Sequence, residues 1–178
     1  VARKYTLPGL ISFLLTGCTG VPDGVTPVTG FDAERYLGTW YEIARLDHRF
    51  ERGLTDVTAT YTARDDGGID VVNRGYDADA GEWKAATGRA YFIDSRDTGR
   101  LKVSFFGPFY GAYNIAELGA DYDYALVTGP NRSYLWILAR EPQLDASVRE
   151  RLVANAASLG FPVQELIRVT HARAGATN

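Results

Sequence analysis

The chain has 178 residues, enough for one domain, and its 46% apolar and 23% charged residues exclude a disordered chain. A net charge of −3 with no basic block removes electrostatic support for a nucleic-acid partner. One cysteine, Cys18, excludes an intrachain disulfide, and two distant histidines, His48 and His171, are too few for a zinc site of the usual His/Cys type.

In chain order, Arg3 and Lys4 come first, and a mostly apolar run over 7–15 follows that is too short to anchor stably across a bilayer. The run ends in Leu15-Thr16-Gly17-Cys18. This resembles the lipobox of bacterial lipoproteins, where small residues precede a cysteine that becomes the acylated N-terminus. The resemblance implies a lipoprotein signal peptide over 1–17 and a lipid, palmitate among its chains, on Cys18. Several acyl chains would hold the protein firmly, since each buried methylene contributes about 0.8 kcal/mol. Thr19 is not Asp, which by the same analogy points to the bacterial outer membrane, with the folded domain facing the periplasm. The other reading is an ordinary secretory signal with an incidental cysteine. Residues 18–30 are expected to be the lipidated N-terminus and a flexible tether, since 19–30 are rich in Gly, Pro and Thr and show no period.

From Gly38 to Arg140 the chain reads as short β-segments near 38–46, 55–64, 69–76, 82–93, 100–106, 112–118, 122–128 and 133–140. Turn signals separate them, such as Asp65-Asp66-Gly67-Gly68 and Gly129-Pro130-Asn131. Strands at this spacing predict an antiparallel meander, closed as a barrel or folded as a sandwich. In Leu101-Lys102-Val103-Ser104-Phe105 the apolar residues alternate with polar ones, so one face meets solvent. Tyr134-Leu135-Trp136-Ile137-Leu138-Ala139 is apolar on both faces and needs a cover. The helix predicted between Asp145 and Gly160 supplies it, with Val148, Leu152, Ala156 and Leu159 on one stripe. Residues 172–178 are expected to fray.

Three motifs carry a family resemblance. They are Gly38-Thr39-Trp40-Tyr41, Asp121-Tyr122-Asp123-Tyr124 and the Arg140 that ends Leu135-Trp136-Ile137-Leu138-Ala139-Arg140. In that order they resemble the G-x-W, T-D-Y and basic-residue motifs of the lipocalins. The stretches 47–53 and 105–111 resemble those of the bacterial lipocalin group, a relative of apolipoprotein D. The second motif departs from the pattern with Ala120 before Asp121. The resemblance covers residues 31–171. It implies an all-β fold, an eight-stranded antiparallel up-and-down barrel with one flanking C-terminal α-helix, able to hold one small ligand. Gly38, Trp40, Asp121, Tyr122 and Arg140 are then structural residues of the closed end, with Arg140 across the Trp40 face. The opposite end is the mouth, where Phe50, Phe109 and Tyr110 expose aromatics suited to a membrane or a homodimer contact.

Strand parity names the inward residues. Tyr134 and Trp136 share a face with Leu138, Tyr61 shares one with Val57 and Ala59, and Asn73 stands out on the apolar row of Ile69 and Val71. Val103 and Phe105 join them, as do Ala90 and Phe92 once Arg89 is placed in water. Strand 112–118 is ambiguous. The residues matching Tyr61, Asn73 and Trp136 line the pocket in apolipoprotein D. The expected ligand is a fatty acid or lysophospholipid, stored or transported in the barrel; Arg49, Arg52 or Arg132 near the mouth either pairs with its carboxylate or phosphate or belongs to a solvated charged rim. The alternative is an envelope structural or interaction module whose barrel is filled by its own side chains. No enzyme motif occurs, no cofactor is expected, and no pair of carboxylates falls on an inferred inward face.

Overall fold

The computed structural model describes residues 19–173, so Cys18, the signal ahead of it and residues 174–178 lie outside the described residues. A four-residue helix α1 (Ala33–Tyr36) leads into strands β1 (Gly38–Arg45), β2 (Leu54–Ala63), β3 (Ile69–Asp77) and β4 (Glu82–Phe92). Strands β5 (Arg100–Phe106), β6 (Phe109–Leu118), β7 (Tyr124–Thr128) and β8 (Leu135–Ala139) follow, then helix α2 (Ala146–Ser158) and a two-residue strand β9 (Ile167–Arg168). From β1 to β8 each strand pairs antiparallel with the next, and β8 closes the ring by pairing with β1. Eight strands therefore form a closed barrel, which leaves no free edge along most of its wall.

Two apolar layers follow from the strand period of two. The inner rows bring Trp40, Tyr61, Ile69, Val71, Leu101, Ile115, Val127 and Leu138 into one buried cluster inside the barrel. The outer faces of β7 and β8 bury Leu126, Leu135, Ile137 and Ala139 against Leu152, Ala156 and Phe161. The helix thus covers the strand that is apolar on both faces. Asp145 caps it by accepting from the Ser147 and Val148 amides, and Gly160, at φ +82°, ends it.

Closure is uneven. Strand β1 pairs with β2 only from Gly38 to Tyr41, because a bulge at Thr55–Thr58 turns β2 away toward the mouth. The C-terminal segment fills that gap. Ala44 pairs with Arg168, the Val169 amide donates to Ile43 O, and the Asp56 amide donates to Thr170 O. The Arg173 amide donates to the Asp56 carboxylate at 2.6 Å, so the chain is tied down as far as Arg173.

Residues 19–30, expected as a free tether, run against the barrel wall. The Val28 amide donates to Ile115 O, Val28 O accepts from the Gly99 amide, and Thr29 bridges Thr98. Asn114, buried on the outer face of β6, donates to Gly20 O. A segment with no period of its own can still satisfy its backbone on a neighbouring strand, which single-sequence periodicity does not reveal.

Leu152 is fully buried between helix and barrel. Leu152→Ala should lower the free energy of unfolding by about 2–5 kcal/mol in urea titrations, whereas Glu150→Ala on the exposed face should change it by less than about 0.5 kcal/mol.

Candidate functional site

One end of the barrel is sealed by a single side chain and what it ties. The Arg140 guanidinium lies over the Trp40 ring, 4.1 Å from its centroid. It donates to Tyr122 O at 3.2 Å, Thr39 O at 3.1 Å and Arg35 O at 2.7 Å. The Trp40 indole donates to Tyr36 O, and the Asp32 amide donates to the Tyr122 hydroxyl. Gly38 sits at φ +94°, and a Cβ there would lie 3.3 Å from Arg140 Nη1. Four of the five motif residues therefore meet at this floor. Asp121 is exposed on the adjoining turn.

Above the floor, three phenols cross the barrel. The hydroxyls of Tyr36 and Tyr61 lie 2.7 Å and 2.9 Å from that of Tyr113. Burial pushes all three well up from the ordinary tyrosine value, so they act as neutral hydrogen-bonding groups. Tyr61, Ala90, Phe92, Val103, Phe105 and Trp136 all belong to the inner cluster or pack on it. Asn73 pairs with Ala59 and Ala86, which places it on the inner row of Val71 and Ile69, and its Oδ1 is buried without a hydrogen-bond partner. Ala86 stands on the same inner row and is nevertheless exposed, so this stretch of wall is open toward the mouth. Tyr134 lies just before β8 and stacks on Trp136, centroids 6.2 Å apart. Hollows of about 340 Å³ beside Arg64 and about 320 Å³ beside Tyr122 lie on closed-end turns, away from these rows.

At the neck of the mouth sits a polar cluster. Arg45 is buried and donates from Nη1 to Glu42 at 2.7 Å and from Nη2 to the Glu51 and Leu54 carbonyls. Glu51 belongs to the loop over 46–53, yet its side chain points into the barrel and is 12% exposed. Its Oε2 accepts from the Trp136 indole at 3.2 Å and lies 3.0 Å from His48 Nε2. Burial, and then the negative charge of Glu51, hold the Glu42 carboxyl well above the usual carboxylate range. Burial also pushes Glu51 up, but contacts with His48, Glu42 and Trp136 outweigh it and leave Glu51 below its ordinary value. Of the two, Glu42 is the more readily protonated and Glu51 the more readily ionised.

This pair corrects the expectation that no two carboxylates face inward. Glu42, two residues after the inward Trp40 on β1, shares its face, a signal already present in the sequence. Glu51 is a loop residue with no period to expose it, and Arg45 turns inward through a bulge between Glu42 and Ala44. The mouth arginines are engaged elsewhere. Arg52 pairs with Asp47, Arg132 donates to Leu159 O and Asp23 O, and Arg49 lies over Phe50. Tyr113 and Tyr36 were also missed. Leu101, inferred inward, pairs directly with Tyr113, but that register is invisible in one sequence. At the rim, Phe106 and Phe109 are 70% and 79% exposed and Phe50 is exposed as well, while Tyr110 is half-buried.

The profile of the lipocalin-like domain family matches residues 31–171. The outer membrane lipoprotein Blc of Citrobacter freundii is 55% identical over 160 residues, covering 89% of this chain and 90% of that one. Apolipoprotein D of Mus musculus is 30% identical over 144 residues, covering 76% and 75%. Among solved structures, insecticyanin from the tobacco hornworm Manduca sexta has a TM-score of 0.70 at 20% identity, covering 89% of this chain and 90% of that one. At that identity the likeness establishes the fold alone.

Glu42 keeps its proton in the folded protein at pH values where the unfolded chain has lost it. The stability this contributes is complete below the ordinary value of 4.5 and is lost as pH rises through the raised folded value. Gln at this position keeps an acceptor for Arg45 and has no proton to lose. Melting temperatures measured across pH 4 to pH 9 should therefore fall less steeply with rising pH in Glu42→Gln than in the unmodified protein.

Proposed function

Because the chain belongs to the lipocalin-like family, we propose that its barrel holds one lipid-like molecule, taken in at the open end, and performs no chemistry on it. The observation that carries this reading is the inner wall of β3 to β5. There Ala90, Val103 and Phe105 give an apolar surface, exposed Ala86 leads toward the mouth, and Asn73 Oδ1 is an unsatisfied acceptor on the way. Tyr61, Phe92, Tyr134 and Trp136 complete the ligand contacts. A fatty acid or lysophospholipid suits this lining. About ten buried methylenes at about 0.8 kcal/mol each supply roughly 8 kcal/mol before ordering costs, an affinity near micromolar.

The setting is the bacterial outer membrane. The Citrobacter freundii relative is named an outer membrane lipoprotein, and Leu15-Thr16-Gly17-Cys18 supplies the matching attachment signal. Among the described residues no helix is long and apolar enough to cross a membrane. Lipid on Cys18 provides the anchor, the domain faces the periplasm, and its work is storage or transport in envelope lipid maintenance. The exposed phenylalanines at the rim suit a lipid surface or a homodimer contact.

Titration of residues 19–178 with palmitate or lysophosphatidylethanolamine should quench tryptophan fluorescence saturably at micromolar ligand, and Trp136→Phe should remove most of the response. No saturable change, with no bound lipid in native mass spectra, would favour a filled barrel acting as an interaction module. In cells, Cys18→Ser should abolish labelling by palmitate and move the protein from the membrane to the soluble fraction.

A further inference from the structure

The cluster at the neck has an unusual member. Arg45, Glu42 and Trp136 stand on strands, but Glu51 comes from the loop over 46–53, whose neighbouring side chains Phe50 and Arg52 face out. A surface loop ordinarily keeps its carboxylates in water, where hydration costs nothing. Here the loop places one inside a protein barrel, against Trp136, which itself packs on the inner apolar cluster. Its carboxylate sits beside the Trp136 indole N–H and His48 Nε2, while the Arg45 guanidinium holds the Glu51 backbone carbonyl and the Glu42 carboxyl. Three polar atoms there, Arg45 Nε and both ring nitrogens of His48, are buried with no hydrogen-bond partner. Such a set is built to receive an oxyanion on the end of an apolar chain.

We infer that Glu51 is an internal stand-in for the anionic head group of the ligand, and that a single-chain amphiphile with a carboxylate or phosphate head binds by displacing it. The inference rests on the reading of the barrel as a lipid binder. The tail enters the apolar rows below the neck, and the head takes the place of the Glu51 carboxylate beside Trp136, His48 and Arg45. One anion replaces another, so the charge around Arg45 and Glu42 does not change. Glu51 then returns to water, and the loop over 46–53, no longer pinned by that side chain, lifts from the mouth. Affinity for the anionic ligand is lowered by the work of expelling Glu51, which also eases release.

The test uses two probes with the same chain, palmitate and hexadecanol, measured by isothermal titration calorimetry. Gln keeps the size of Glu and forms only neutral hydrogen bonds, about half as strong as those of a carboxylate. Glu51→Gln should tighten palmitate binding about tenfold and change hexadecanol binding by less than about threefold. A second measurement uses the unmodified protein, so it does not depend on how the variant folds. Saturating palmitate should speed trypsin cleavage after Arg49 and Arg52. Unchanged or weaker palmitate binding in Glu51→Gln, or equal tightening of both lipids, would overturn the inference, as would slower cleavage in the presence of palmitate. If the unmodified protein binds neither lipid, the lipid-binding reading itself fails and the stand-in falls with it. If it binds palmitate and Glu51→Gln makes no difference, only the stand-in fails.

Discussion

The contact on which the barrel most depends is the Arg140 guanidinium laid over Trp40. One flat cation covers the ring and satisfies three carbonyls, from α1, from the first strand and from the turn before β7. It joins the end of the last barrel strand to the start of the first. With α1 beneath it, it closes the floor, so whatever occupies the interior must come and go at the other end. The tyrosine chain and the inner apolar rows then have a fixed base to stack upon.

The far end is governed by the cost of burying charge. Arg45 and Glu42 are almost wholly inside, where an unpaired ion would cost several kcal/mol. They are tolerated because Arg45 meets the Glu42 carboxyl and two carbonyls, and because burial shifts Glu42 toward its neutral form. Glu51 brings in the remaining negative charge from a loop. A neck held by ions in this way differs from the floor. The floor is tied by bonds between regular elements, while the neck depends on one side chain of a connecting segment. Motion is therefore expected at the neck, and the relevant ligand groups are those that can replace a carboxylate.

Much of this was legible from residue order. Alternation in 101–105 and 134–139 placed Val103, Phe105 and Trp136 on inner rows, and the stripe of Leu152 and Ala156 called for a helix over β8. The motifs at Trp40, Tyr122 and Arg140 pointed to the closed end where the structure gathers them. What was hidden depends on register. Bulges at Glu42–Ala44, Thr55–Thr58 and Ile115–Glu117 shift parity by one residue, and each changes which neighbour faces inward. Arg45 is the plainest case. Segment 19–30 and strand β9 were hidden for a different reason. They take their order from the wall they lie on, and nothing in their own sequence announces it. Glu51 combines both difficulties, being a charged loop residue whose place is set by partners far along the chain.

Stearic acid spin-labelled near its far end reports whether a lipid chain occupies the inner rows below the neck. Methyl signals of Ile69, Val71 and Val103 should broaden in NMR spectra as the labelled acid is added, while those of Leu152 and Val148 at the outer helix stay sharp. Broadening confined to the outer helix or to the rim, with the inner methyls unaffected, would contradict a lipid-filled barrel.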